Sequence, residues 1–255
     1  MIANYHTHTT RCNHAFNPEI EYVETAIAEG VKILGFSDHT PQFFPGEYYS
    51  RMRMRPEMLQ DYVDTVMGLK AQYAGQLQIH LGLEVEYYPA IFSKLVEVLR
   101  DQPVEYMILG QHWNKNEEGQ EYNGRPTESE EKLELYVNQT IDAMHTGLFT
   151  YLAHPDILRY EGDRKCYAYH MRRLCQAAKS CKLPLELNLL GLREQRHYPN
   201  PLFWELAAEE GCQVVLGSDA HRPEHIMVPE AVETALHMVK TYGLELLETV
   251  SLQKI

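Results

Sequence analysis

The chain begins Met1-Ile2-Ala3-Asn4-Tyr5-His6-Thr7-His8-Thr9, and this stretch decides how the rest of the sequence is interpreted. Its short apolar start predicts a buried strand that ends where the histidines begin. Side chains alternate between the two faces of a strand, so His6 and His8 project from the same face. Two imidazoles on one face at the end of a first strand form half of a metal site.

Apolar runs alternate with helical patterns along the whole chain. The candidate strands are Ile2–His6, Lys32–Ser37, Gln78–Val85, Met107–Gln111, Thr150–His154, Leu185–Leu189 and Gln213–Ser218. The candidate helices are Pro18–Glu29, Pro56–Ala74, Ala90–Asp101, Ser129–Gly147, Tyr167–Cys181, Pro201–Glu210 and Pro229–Tyr242. Alternating strands and helices predict parallel βα units, which right-handed crossovers close into a barrel or wind into an open sheet. A length of 255 residues suits one α/β barrel, so we expect a single domain over residues 1–255.

Composition and charge restrict the partners and the compartment. No segment approaches the roughly 18 apolar residues of a membrane span. The formal charge of −13 argues against a nucleic-acid surface, although bound divalent metals would still allow a phosphorylated small molecule. The five cysteines are odd in number and lack CxxC spacing, which indicates reduced thiols. Together with the absence of a signal-peptide pattern, the thiols predict a cytoplasmic protein.

Histidines and carboxylates stand where successive apolar runs end. A lone histidine is more often a core or surface imidazole than a ligand, and an isolated Glu84 or Asp219 would be a cap or a solvated carboxylate. The shared placement at one end of the strands favours ligation, because carboxylates bridge divalent ions alongside imidazoles. The histidines expected to lie outside such a site are His80, His145, His170, His225 and His237.

Taken in order, these motifs resemble the PHP (polymerase and histidinol phosphatase) family. They are His6-x-His8, Asp38-His39, Glu84, His112, His154-Pro155 and Gly217-Ser218-Asp219-Ala220-His221. The resemblance runs from residue 2 to about residue 230 and implies a single-domain distorted (β/α)7 barrel, in agreement with the seven candidate strands. It also implies two or three divalent metal ions, and a mixture of imidazole and carboxylate ligands suits zinc, iron or manganese.

The resemblance distributes the ligands over three metals. The first would take His6, His8, Glu84 and Asp219, the second Glu84, His112 and His154, and the third His14, His39 and His221. Many relatives carry aspartate at the position of His14, where histidine is also a competent ligand. The expected catalytic residues are Glu84, as the bridging carboxylate, together with Asp219 and His221. The acid that protonates the leaving group stays unassigned.

Two arginines support a small phosphomonoester as the substrate. Arg159 follows His154 by five residues, and Arg196 lies in the loop after the sixth candidate strand. A guanidinium binds phosphate oxygens as a bidentate fork. The alternative role is a surface ion pair, for example between Arg159 and Glu161. Single-domain chains of this size resemble the monofunctional histidinol-phosphate phosphatases, which implies hydrolysis of L-histidinol phosphate in histidine biosynthesis.

The sequence leaves recognition of the organic part of the substrate open. The aromatic loop Phe43–Tyr49 could stack on an imidazole, and Glu47, Glu117 or Glu121 could pair with an amine. The alternative is that the loop packs its own aromatic side chains against the barrel rim.

Three other functions compete with this interpretation. A PHP phosphoesterase acting on another small phosphate ester or a nucleotide is the nearest alternative. An amidohydrolase-type deaminase should have a bridging lysine near the fourth strand, where this chain has Met107–Gln111 and His112. A non-catalytic metal-binding module should have lost ligands, and every expected position is filled.

Overall fold

The strands of the computed structural model, which describes residues 1–255, form two parallel sheets. The first has the order β1-β2-β3-β4, with β1 at Ala3–Asn4, β2 at Ile33–Phe36, β3 at Gln78–Val85 and β4 at Tyr106–Leu109. The second has the order β5-β6-β7, with β5 at Leu185–Asn188, β6 at Gln213–Gly217 and β7 at Glu245–Leu246. Every pair of neighbouring strands is parallel, as the alternation with helices predicted.

Single bridges join the two sheets into one curled wall. Leu152 bridges Leu109 at the end of β4 and also Leu185 at the start of β5. Thr7 bridges Ala220 beyond β6, where the amide of Ala220 donates to the carbonyl of His6 at 3.2 Å. The wall therefore returns to its first strand. The prediction of an α/β fold built as a distorted barrel is confirmed.

Two elements of the wall differ from the prediction. The segment Thr150–His154 is not a continuous strand, since only Leu152 makes ladder bridges on both sides. His154 has a φ of +29°, which an extended strand does not allow, so the chain turns at this residue. The short β7 was not predicted, because two residues carry no alternation signal. It pairs with the start of β6.

Eight α-helices surround the wall. They are α1 Glu19–Ala28, α2 Leu59–Gln72, α3 Phe92–Arg100, α4 Glu130–His145, α5 Arg164–Cys181, α6 Leu189–Arg193, α7 Pro201–Glu209 and α8 Pro229–Tyr242. All but α6 match a candidate helix, with ends that differ by a few residues. The side chain of Asn188 caps α6 by accepting a hydrogen bond from the amide of Gly191 at 3.0 Å. None of these helices has the length and apolar character needed to cross a membrane.

Two apolar clusters fix the position of the wall. A cluster of 56 buried residues includes side chains from the helices and from the strands. A smaller cluster of seven is built around Tyr106 on β4. The hydroxyl of Tyr106 donates to the carbonyl of Tyr5 at 2.8 Å and to that of Phe36 at 3.1 Å. This fully buried side chain thereby ties β4 to the ends of the first two strands, where the polar residues begin.

Candidate metal centre

All nine predicted ligands lie together at one end of the barrel. His6 and His8 follow β1, His39 follows β2, Glu84 lies near the end of β3, His112 follows β4, His154 follows Leu152, and Asp219 and His221 follow β6. His14 follows the short 3-10 helix Thr10–Cys12. The carboxyl ends of parallel strands meet at one end of a barrel, which is why residues so far apart in sequence come together.

The first predicted group has the spacing of a tetrahedral site. His6 Nε2 and His8 Nε2 are 3.1 Å apart, and Glu84 Oε2 is 3.6 Å from each of them. Asp219 Oδ1 is 3.2 Å from His8 Nε2 and 3.6 Å from His6 Nε2. Ligands held at zinc-like bond lengths around a tetrahedral ion are about 3.3 Å from one another. These four atoms therefore fit one divalent ion.

Glu84 faces two groups of histidines with its two oxygens. Oε1 lies 2.9 Å from His154 Nε2 and 3.8 Å from His112 Nε2. Oε2 faces the first group and also lies 2.9 Å from His39 Nδ1. A carboxylate that presents one oxygen to each of two ligand clusters has the geometry of a bridge between two ions.

The third predicted group comprises His14, His39 and His221, whose ligand atoms lie within 4.8 Å of one another. His14 Nδ1 donates to the carbonyl of Cys12 at 2.8 Å, which leaves Nε2 as the free nitrogen of that ring. Nε2 of His221 is buried and has no hydrogen-bond partner. Cys12 lies beside this group, but its thiol donates to the carbonyl of Thr9 at 3.1 Å, and burial raises its pKa to about 11.

A second layer of buried carboxylates lies behind the histidines. Sequence reasoning missed these carboxylates as a set. The pairs are Glu186 with His6 Nδ1 at 2.8 Å, Asp38 with His8 Nδ1 at 3.4 Å, and Glu86 with His112 Nδ1 at 3.2 Å. A carboxylate behind an imidazole keeps the proton on Nδ1 and points the lone pair of Nε2 towards the metal. The signal in the sequence was an acid inside an apolar run, most clearly Glu186 in Leu185–Leu189.

Glycines leave the space that two of these carboxylates occupy. A Cβ at Gly110 would lie 2.0 Å from Glu84 Oε1, and a Cβ at Gly217 would lie 1.7 Å from Glu186 Oε1. Any side chain at either position would push a carboxylate out of the centre. The glycines that end two strands are therefore part of the site.

The buried groups shift the pKa values of one another. Burial alone would raise the pKa of Glu84, but the imidazoles of His39, His112 and His6 hold it well below its usual range. Burial alone would lower the pKa of His6, but Glu186, Asp219 and Glu84 raise it to about 10. Burial lowers the pKa of His39 and of His221 well below the usual value. The centre therefore combines ionised carboxylates with closely spaced imidazoles, and carboxylate oxygens and imidazole nitrogens are the donor set of a divalent metal.

A cavity of about 890 Å³ opens beside the centre, and both predicted arginines line it. Arg159 is paired with Glu161 at 2.8 and 2.7 Å, so the surface ion pair is formed on the cavity wall itself. Arg196 is paired with Glu194 at 2.9 and 2.7 Å, and its Nη1 donates to the hydroxyl of Tyr198 at 2.9 Å.

Sequence reasoning missed a third arginine of this wall. Arg125, in the long loop after β4, also lines the cavity and makes no ion pair. A single exposed arginine in a polar loop carries no periodicity or spacing that would have indicated it.

The residues suggested for the organic part of the substrate do not reach the cavity. The loop Phe43–Tyr49 packs its own aromatic side chains, with the rings of Phe44 and Tyr48 4.8 Å apart, so the alternative of self-packing is correct. Glu117 is buried in an ion pair with Arg53. Glu47 is exposed, and Glu121 is exposed beside Lys132. None of these residues lines the cavity.

A family model for the PHP domain matches residues 4–189, nearly three quarters of the chain. The chain belongs to the PHP family. Two of the predicted ligands of this PHP chain, Asp219 and His221, lie beyond the matched segment. They reach the centre through β6, which pairs with β5 at the end of that segment.

Curated relatives extend over most of this PHP chain. It is 29% identical over 233 residues to a probable histidinol-phosphatase of Deinococcus radiodurans, with 88% of each chain covered. It is 25% identical over 271 residues to a probable histidinol-phosphatase of Schizosaccharomyces pombe, with 95% of this chain and 86% of that one covered.

Solved structures show the same fold. The histidinol phosphate phosphatase of Lactococcus lactis, solved with zinc, L-histidinol and phosphate, has a TM-score of 0.75 at 20% identity and covers 99% of this chain and 98% of its own. A putative histidinol phosphatase of Listeria monocytogenes has a TM-score of 0.76 at 19% identity, covering 90% of this chain and 99% of its own.

Proposed function

We propose that this PHP chain hydrolyses L-histidinol phosphate to L-histidinol and phosphate, as a phosphatase of histidine biosynthesis that uses two or three divalent metal ions. The observation that carries the proposal is a barrel end where nine candidate ligands lie together beside a cavity with arginines on its wall. The curated relatives named histidinol-phosphatase and the Lactococcus structure with zinc, L-histidinol and phosphate support this substrate.

The ligand groups fit zinc, iron or manganese. Nε2 of the buried His221 imidazole has no hydrogen-bond partner in the chain, and the buried Oε2 of Glu84 forms no hydrogen bond although it lies 2.9 Å from His39 Nδ1. Burying such atoms without a partner is unfavourable, and a cation would satisfy both. When bound, divalent ions lower the pKa of water to supply a nucleophile and stabilise negative charge on phosphoryl oxygens.

The chain itself positions the ligands and the substrate. The carboxylates behind His6 and His8 keep protons on Nδ1, so that Nε2 of each ring presents its lone pair. Glu86 lies 3.2 Å from Nδ1 of His112. On the cavity wall, Arg159 and Arg196 would bind the equatorial oxygens of the phosphate and offset their growing charge. Glu194 and Tyr198 hold the guanidinium of Arg196 in place for this contact.

We also infer that residues 1–255 act as one domain in the cytoplasm. The ligands extend from His6 to His221, and the wall closes only when Thr7 meets Ala220, so no segment shorter than residues 6–221 contains the whole centre. All five cysteines are free, which suits a reducing compartment.

The experiment is phosphate release by the purified, metal-supplied protein from L-histidinol phosphate, nucleoside monophosphates and an aryl phosphate. We expect L-histidinol phosphate to have the highest kcat/KM by a wide margin. Expression in a strain without histidinol phosphatase should restore growth without histidine. Efficient hydrolysis of a different ester without growth rescue would instead support the alternative, a phosphoesterase for another small phosphate ester or a nucleotide.

A further inference from the structure

An aromatic pair forms part of the cavity wall. Trp113 and Tyr122 face each other across an antiparallel bridge, with ring centroids 5.6 Å apart. The ring of Tyr122 is also stacked on that of His112, at 6.1 Å between centroids. Both residues line the cavity, and neither the Tyr122 hydroxyl nor the Trp113 indole N–H has a partner in the chain. The two rings are inclined at 55° to each other and present aromatic faces next to His112 of the metal centre.

The segment Glu194–Tyr198 brings two hydrogen-bond acceptors to the same cavity. His197 Nε2 lies 2.8 Å from the carbonyl of Ile157, which only accepts, so Nε2 carries the proton and Nδ1 keeps a lone pair. Burial lowers the pKa of this ring, and the charges of Arg159 and Arg196 lower it further. His197 is therefore neutral near pH 7.

Glu194 is the other acceptor. It is the one carboxylate on the cavity wall apart from the predicted metal ligands Glu84 and Asp219. Its Oε2 holds Arg196 at 2.7 Å, whereas Oε1 accepts no hydrogen bond and has only Arg193 Nη2 at 3.7 Å. Oε1 therefore remains available to a ligand.

The aromatic pair and the acceptor segment line the same cavity, beside the predicted ligands His112 and Asp219. A group bound in this cavity would meet the acceptors of Glu194 and His197 and the π faces of Trp113 and Tyr122.

We propose that Glu194, His197, Trp113 and Tyr122 form a subsite that selects phosphomonoesters carrying a cationic group with N–H donors, such as the ammonium and imidazole of L-histidinol. A cation is attracted to the faces of tryptophan and tyrosine, and a carboxylate pairs with an ammonium by a charge-assisted hydrogen bond. The neutral imidazole nitrogen of His197 accepts a second N–H. The subsite rests on the proposed function, because it names the groups of the substrate that the proposed phosphatase would recognise.

The experiment measures the ratio of kcat/KM for two phosphate esters. Because both substrates carry the same phosphate, effects of a substitution on phosphate binding cancel in this ratio. With metal-loaded protein, kcat/KM is determined for L-histidinol phosphate and for 3-phenylpropyl phosphate, which keeps a flat ring but has no cation or N–H donor. Glu194→Gln should lower the ratio of the two values about 10- to 30-fold, and His197→Ala about 5-fold. Glu161→Gln, the same change beside Arg159, is the matched control and should leave the ratio unchanged.

Binding of L-histidinol, measured by calorimetry, tests the subsite without hydrolysis. We expect Glu194→Gln to weaken this binding by the same factor as the kinetic ratio. Phosphatase activity with a ratio unaffected by Glu194→Gln overturns the subsite and leaves the proposed function standing. Binding of L-histidinol that depends on Glu194, without hydrolysis of any phosphomonoester, overturns the proposed function and supports the subsite. Absence of both hydrolysis and binding overturns the two together.

Discussion

Glu186→Gln tests whether the carboxylates behind the histidines control metal affinity. Glu186 is fully buried and accepts three hydrogen bonds. His6 Nδ1 is 2.8 Å from Oε1, and the amide of His154 and the side-chain amide of Asn188 donate to Oε2 at 3.0 and 2.9 Å. Glutamine has the same shape but only one acceptor oxygen. It cannot satisfy all three donors in either orientation of its amide.

The orientation that keeps two bonds places the glutamine NH2 group against His6 Nδ1. The ring of His6 must then accept at Nδ1 and carry its proton on Nε2, which removes the lone pair from the metal side. Loss of such a supporting carboxylate lowers metal affinity about 10- to 100-fold. The other orientation keeps the bond to His6 but leaves two buried N–H groups facing an NH2 group, at about 1–3 kcal/mol each.

The assay is competition for metal against a chromophoric chelator, together with thermal unfolding of the metal-free protein. We expect weaker metal binding in Glu186→Gln and, as a control, unchanged binding in Glu210→Gln, whose carboxylate pairs with Arg172 on the surface. Metal affinity of Glu186→Gln within twofold of the unmodified protein, with a normal melting temperature, would refute this reasoning.

Three further predictions follow from the same geometry. Glu84→Gln should lose metal content and turnover together, measured by elemental analysis and phosphate release, and full activity in this variant would contradict a bridging role. Arg159→Ala and Arg196→Ala should each lower kcat/KM about 30- to 150-fold at unchanged metal content. Wild-type kinetics in both would place the phosphate elsewhere. Burial would raise the pKa of Glu105, but hydrogen bonds from His80, a lysine and a backbone amide lower it to about 2. Because the pKa of Glu105 is lower in the folded than in the unfolded protein, its ionised carboxylate stabilises the fold above about pH 4.5. This stabilisation is lost as the pH falls towards 2. In urea unfolding, Glu105→Gln should remove about 1–2 kcal/mol of the pH-dependent part of the free energy of unfolding, a figure reduced for solvent screening. Identical dependence of this free energy on pH in the variant and the unmodified protein would count against the prediction.

The convergence of the candidate ligands could be predicted because strand ends are encoded locally. An apolar run that gives way to a histidine or an acid marks the carboxyl end of a strand, and parallel strands bring those ends together. The backbone at two of these positions could not be predicted in this way. His154 and Asp219 have φ values of +29° and +47°, a region that non-glycine residues rarely adopt. Contacts made by the whole barrel hold them there, so the sequence around His154 was misread as a regular strand.

The second layer was missed for a related reason. Glu186 lies in an apolar run that was assigned as strand, and period-two alternation does not say which neighbouring strand its side chain will face. Only the pairing of β5 with β6 places Glu186 beside Gly217 and directs its carboxylate towards His6. The sequence therefore predicts candidate ligands that follow strands better than it predicts the buried carboxylates that orient those ligands.

The arginines show that two alternatives drawn from the sequence need not exclude each other. Arg159 and Arg196 each pair with a glutamate two residues away, Glu161 and Glu194, and both still line the cavity. A guanidinium has five N–H donors, and each of these ion pairs uses two of them. The remaining donors can bind a phosphate while the glutamate restrains the side chain, which reduces the rotamer entropy lost on binding. The ion pair is therefore a means of presenting the arginine to the substrate.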